Sequence, residues 1–157
     1  MSPKAELIQP FVAAAAEVLR AEAGVDVKRG NLALESTAIT LTEVAALVSL
    51  IGQIEGVVVF AMSESMCLAL VSRMLGQNYE QLDELALSGV AELGNVISGQ
   101  AATKLSKAGY QVSISVPTII MGQGATIATV GSQRLVVPLE TELGTMQIHL
   151  AVRENRG

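Results

Sequence analysis

VAALVSLIGQIEGVVVFAM, Val44 to Met62, is the stretch on which the fold turns. It is long enough to cross a bilayer, which takes roughly 20 apolar residues. Gly52, Gln53, Glu55 and Gly56 fall at its centre, however, and polar groups there would be costly in lipid. The β-branched residues on either side of GQIEG suit two strands joined by a short turn. The segment therefore reads as a β-hairpin in a water-soluble, cytoplasmic chain.

Working outward from the hairpin, residues from about Pro3 to Ala23, closed by Gly24, form an alanine-rich helix. Pro10 marks its first turn or a break near it. The segment AELIQPFVAAAAEVL carries Glu6, Pro10 and Glu17 and lacks the cationic lead and unbroken apolar core of a signal peptide. Extended segments are expected over Val25 to Leu34, Ala38 to Ile51 and Ile54 to Met62. Ser63 can cap a helix through SESMCLALVSRML, with Gly76 ending it. A long helix from about Tyr79 to Lys107 follows. After Gly109 the period changes to two: Val112, Ile114 and Val116 alternate with polar residues, as do Met146, Ile148, Leu150 and Val152. ATIATV and QRLVVPLE read as further strands, Pro138 being confined to an edge or bulge. Adjacent extended segments with short turns favour hairpins. The fold class is α+β, a mostly antiparallel sheet with helices packed on it, in one domain spanning residues 1–157.

Composition narrows the function. The chain has 157 residues, half of them hydrophobic, with 3% aromatics and no Trp, so its core is aliphatic. A net charge of −5, without clustered Lys or Arg, argues against nucleic-acid binding. The lone Cys67 reads as a small buried hydrophobe. With one His and one Cys, no metal set is expected. His149 alternates with Met146, Ile148 and Leu150 onto the side of Thr145, Gln147 and Arg153, which predicts a solvated or edge position. GQGAT, residues 122–126, lacks the Lys and helix of a phosphate loop and reads as a hairpin turn.

The long helix contains SGVAELGNVISG, Ser88 to Gly99. Its glycines, Gly89, Gly94 and Gly99, each cost about 1 kcal/mol against alanine. At about 100° per residue, Ala86, Val90, Leu93, Ile97 and Ala101 fall within about 80° of one another as an apolar face. Ser88, Glu92, Asn95 and Gly99 fall within about 60° on the opposite side. Gly94 lies nearer the apolar side, where it would let a strand approach. Gly99, on the polar stripe, is better explained by an approach from outside.

The spacing Ser88-x-x-x-Glu92-x-x-Asn95-x-x-x-Gly99 resembles the signature of the CheC/CheX/FliY family of chemotaxis phosphatases. PFVAAAAEVL, GVVVFAMSESMCLALVSRMLG and SVPTIIMGQG resemble the first helix, the strand-to-helix segment and the extended segment of its CheX-type members. The resemblance implies hydrolysis of an aspartyl phosphate on a phosphorylated response regulator of CheY type, whose receiver domain supplies its own Mg²⁺. Asn95 would hold the attacking water, since an amide can orient a water through its carbonyl and NH₂. Glu92 would pair with a lysine of the receiver. Ser88 and Gly99 would face the partner, Gly99 leaving room for its backbone. The first helix lacks a second such motif: Arg20 follows Glu17 where an amide would stand, and ELIQ, Glu6 to Gln9, reads as a helix start. CheX-type members typically dimerise through their sheets, which implies a homodimer. Read without the family, Ser88, Glu92 and Asn95 are ordinary solvated residues, and a non-catalytic module that docks on receivers or joins a signalling or flagellar assembly would present the same surface.

Overall fold

The computed structural model describes residues 5–40, 43–122, 124, 126–127 and 133–155. Helix α1 (Ala5–Ala23) is followed by short strands β1 (Lys28–Arg29), β2 (Ala33–Glu35) and β3 (Ile39–Thr40), then by the long hairpin β4 (Val44–Gly52) and β5 (Ile54–Met62). Helices α2 (Glu64–Leu75) and α3 (Glu84–Lys107) come next. The remaining strands are β6 (Val112–Ile114), β7 (Thr118–Met121), β8 (Thr126–Ile127), β9 (Arg134–Thr141) and β10 (Gly144–Glu154). Among the described residues, no helix is long and apolar enough to cross a membrane. The main sheet runs β1-β9-β10-β5-β4-β6, with β2 also beside β9 and β7 also beside β4, and every pairing is antiparallel.

Val44 to Met62 is the hairpin its sequence predicts, with Val44 opposite Met62 and Leu50 opposite Gly56. Gly56 needs to be glycine: its φ is +136°, and a Cβ there would meet the carbonyl oxygen of Ala151 on β10 at 2.0 Å. One face of this sheet carries the principal core. Val44, Ala46, Val48 and Leu50 of β4 point into it together with Val58 and Phe60 of β5, Leu7, Phe11, Val18 and Leu19 of α1, and the apolar face of α3. The opposite face holds a smaller cluster of Ile39, Ala45, Val59 and Ala61, which Ile127 packs against, where β3 and β8 pair. This second small sheet goes beyond the single helix layer read from the sequence.

Several boundaries differ from the sequence reading for local reasons. Helix α1 runs straight through Pro10, its sixth residue, which lies one turn further in than expected. Helix α3 begins at Glu84 and not near Tyr79, because the Asp83 carboxylate accepts from the Ala86 N–H at 2.8 Å and caps it. Tyr79 is tied instead to α2, its N–H donating to Ser72 Oγ at 2.9 Å. The Ser63 cap and the left-handed Gly76 at φ 67° bound α2 as predicted. The expected extended run from Ala38 to Ile51 is divided into β3 and β4, and that from Val25 to Leu34 holds the two short strands β1 and β2. Much of ATIATV, and residues 123 and 125 of the expected GQGAT turn, lie outside the described residues.

Pro138 sits within β9, opposite Gln147 of β10. Its carbonyl accepts from Gly30 N at 2.8 Å, in the gap between β1 and β2. A strand residue directs its N and its C=O to the same side, so the missing N–H falls in that gap and breaks no ladder bond.

Candidate functional site

Everything that turns the Ser88 to Gly99 stripe outward lies on the other side of α3. Ala86, Val90, Leu93, Ile97 and Ala101 are all buried, as the wheel requires. Two of the three glycines bring the helix close to its neighbours. A Cβ at Gly89 would stand 3.1 Å from both methyls of Val71 in α2, and one at Gly94 would stand 3.2 Å from the Ala46 Cβ in β4. Gly94 thus admits a strand, as expected; the packing role of Gly89 was not read from the sequence. Gly99 is different: a Cβ added there meets nothing within 4 Å. Gly99 is half-buried, and the Thr103 hydroxyl donates to its carbonyl at 3.1 Å. Lys104 also links the far end of α3 to Glu17 of α1 at 3.0 Å, a surface contact that contributes little energy.

Ser88, Glu92 and Asn95 are exposed. No hydrogen bond or ion pair among the described residues engages their side chains. All three line an open groove of about 290 Å³, whose remaining walls are Ala91, Val116 and Pro117. Helical spacing sets the Glu92 and Asn95 Cβ atoms roughly 5–6 Å apart, so a partner surface pressed on the groove meets a carboxylate and an amide together. Gly99 lies on the same stripe but is not part of the groove wall.

The second wall departs from the sequence expectation, in which Val116 is one more position of an alternating strand. Strand β6 pairs with β4 up to Ile114 opposite Leu50, and β7 resumes at Thr118 opposite Leu47. Residues 115, 116 and 117 therefore face only residues 48 and 49, one extra residue that makes a β-bulge. Ser115 holds the bulge in place: its N–H donates to Ser49 O at 2.9 Å, and its Oγ accepts from Ser49 N at 2.9 Å and donates to Val116 O at 3.2 Å. The bulge shifts the alternation, so that Val112 and Ile114 before it and Ile119 after it all pack on the principal core, while Val116 is left 85% exposed. Pro117, which has no N–H for a ladder, was the signal in the sequence that this run is interrupted.

His149 corrects an expectation. It does lie on the sheet face away from the helices, but it is 6% exposed and not solvated. The buried Arg134 donates from Nε to its Nδ1 at 3.1 Å and from Nη2 to Glu35 Oε2 at 2.7 Å, and also binds the Thr37 carbonyl through Nη1. Burial, helped by the Arg134 charge, pushes the His149 pKa down to about 4. Cys67 is buried as expected, and burial, with Glu43 and Glu64 nearby, pushes its thiol up to about 12. Among the described residues, no group of three His, Cys, Asp or Glu side chains could hold a metal ion.

Comparison with known proteins identifies the family of this fold. Residues 44–140 match the family described as chemotaxis phosphatase CheX. The chain is 33% identical over 128 residues to the CheY-P phosphatase CheX of Thermotoga maritima, covering 81% of this chain and 83% of that protein. A CheC-like superfamily protein from Shewanella sp. PV-4 superposes with a TM-score of 0.88 at 27% identity, over 96% of this chain and 99% of that one. A chain from the CheX–CheY–BeF₃–Mg²⁺ complex of Borrelia burgdorferi superposes with a TM-score of 0.79 at 30% identity, over 94% of this chain and 98% of that one. By sequence and by fold, this chain belongs to the CheX family of chemotaxis phosphatases.

Proposed function

We propose that this protein hydrolyses the aspartyl phosphate of a CheY-type response-regulator receiver, with Asn95 orienting the attacking water and Glu92 fixing the helix to the receiver. The observation that carries this reading is a stripe of exposed, unengaged Ser88, Glu92 and Asn95 on a helix whose other face is buried. The family relation supports it: the Thermotoga maritima relative is a CheY-P phosphatase, and the Borrelia burgdorferi relative stands in a complex with CheY.

The chemistry asks little of this chain. An acyl phosphate already has a good leaving group, and the Mg²⁺ that neutralises charge on the phosphoryl oxygens belongs to the receiver. What remains is to place a water in line with the phosphorus, and positioning alone is worth several kcal/mol. The water oxygen bonds to phosphorus as the bond from phosphorus to the aspartyl oxygen breaks. The aspartate leaves as its carboxylate, and the water's two protons stay on the released dihydrogen phosphate. Asn95 is neutral, so it holds the water by hydrogen bonds and does not act as a strong base. Glu92, charged and one turn away, pairs with a cation on the receiver and sets the distance. Ser88 and Gly99 belong to the same contact face.

Receivers are phosphorylated in the cytoplasm, which is where this activity places the protein. We also propose a homodimer. Ile51 is 66% exposed on the sheet face away from the helices, next to half-buried Val57 and Ser49, and a second copy would cover this strip. Light scattering at micromolar concentration tests it, and a monomer there counts against it.

The decisive experiment is phosphate release from a phosphorylated CheY-type receiver with Mg²⁺, with and without the protein, beside Asn95→Ala. Acceleration that disappears in the variant supports the reading. Acceleration that survives moves the chemistry elsewhere, and no acceleration across several receivers leaves a docking module.

A further inference from the structure

Among the described residues, the groove beside Asn95 is lined by one carboxylate and by no Lys or Arg. It therefore repels a free phosphate or a small acyl phosphate, and recognition has to come through the protein that carries the phosphoryl group. The polar side chains of the stripe can hydrogen-bond to that protein, but such contacts exchange for water at little net gain. An interface usually draws its affinity from an apolar anchor at its centre.

One is present. Among the described residues, Val116 is the most exposed large hydrophobic side chain, at 85%. The bulge at residues 115–117 carries it out of the core pattern of its strand and sets it in the wall opposite Ser88, Glu92 and Asn95. Ser115 ties the start of the bulge to Ser49 of β4 and to the Val116 carbonyl, and Pro117 restricts the backbone further, so little conformational freedom is lost when a partner closes on it. Bulges next to active sites commonly re-aim a side chain in this way.

We propose that Val116 is a docking residue for the phosphorylated receiver, packing against an apolar side chain beside its phosphorylation site and setting the affinity of the encounter while Asn95 performs the chemistry. This rests on the phosphatase reading and adds a second, apolar element to a site otherwise read from polar residues alone.

The test is steady-state phosphate release over a range of concentrations of a phosphorylated CheY-type receiver, for the wild type, Val116→Ser and Val116→Ile. Removing the apolar contact raises KM roughly five- to tenfold with kcat unchanged, and Val116→Ile restores KM to within about twofold. The same melting temperature in all three excludes a fold effect. An unchanged KM in Val116→Ser, beside an active wild type, overturns the docking role and leaves the phosphatase reading intact. A fall in kcat without a change in KM also overturns it, since Val116 then supports the catalytic residues and not the encounter. If the wild type shows no acceleration, the phosphatase reading is what fails. The docking role is then judged by calorimetric affinity for the beryllofluoride-activated receiver, a five- to tenfold weakening in Val116→Ser sustaining it and equal affinity overturning it.

Discussion

Gly99→Ala should make this protein more stable and less active at once. Gly99 lies inside a helix, and an added Cβ meets no atom within 4 Å beyond the backbone of its own helix. Nothing in the folded chain opposes alanine there, so the substitution gains the helix preference of about 1 kcal/mol. For a domain of this size that raises Tm by roughly 2–4 °C. If a receiver backbone closes on this open position, the same methyl overpacks the contact, at a cost of about 1–3 kcal/mol, and KM rises between about fivefold and a hundredfold. Thermal unfolding followed by circular dichroism reads the first effect, and phosphate release over a range of receiver concentrations reads the second. A higher Tm with unchanged kcat/KM refutes the claim that a partner uses the open space. A lower Tm refutes the claim that the space is open. Gly94→Val is the control, because its side chain is forced against Ala46, whose Cβ would stand 3.2 Å from the new Cβ, and against Phe60. It should lose about 1–3 kcal/mol of stability.

Asn95→Ala and Glu92→Ala should each reduce kcat/KM for the phosphorylated receiver by on the order of a hundredfold or more, with Tm within about 1 °C of wild type because both side chains are exposed; phosphate release beside thermal unfolding checks both. Lowering the pH should destabilise the fold through His149, whose pKa is about 4 in the folded chain against an ordinary 6.5. Above pH 6.5 the ring is neutral in both states and the contribution is complete; as pH falls from 6.5 towards 4 the unfolded chain takes up a proton that the folded one does not, and on the order of 3 kcal/mol is lost. Urea unfolding between those limits measures this slope, which His149→Gln should flatten. Arg134→Met leaves the Thr37 carbonyl, Glu35 and His149 Nδ1 without their donor and should cost about 2–4 kcal/mol in the same assay.

The residues from Val44 to Met62 determined their own hairpin, since glycines flanking Gln53 and Glu55 leave an apolar run no other good solution in water. The 3.6-residue period of α3 likewise fixed which side chains are buried and which form the stripe, because a helix wheel depends only on spacing. Local caps at Ser63 and Gly76 were equally legible, being made within a few residues of chain. Long-range pairing decided the rest. Alternation placed His149 on the correct face, but whether that face is wet depends on Arg134, fifteen positions away in sequence, and on Glu35, which is farther still. The same holds for Val116: its strand pattern gave it a core position, and only the register of β6 and β7 against β4 shows the extra residue that turns it out beside Glu92 and Asn95. A period of two or 3.6 says which way a side chain points relative to its own element; what stands opposite is settled only when distant elements pair.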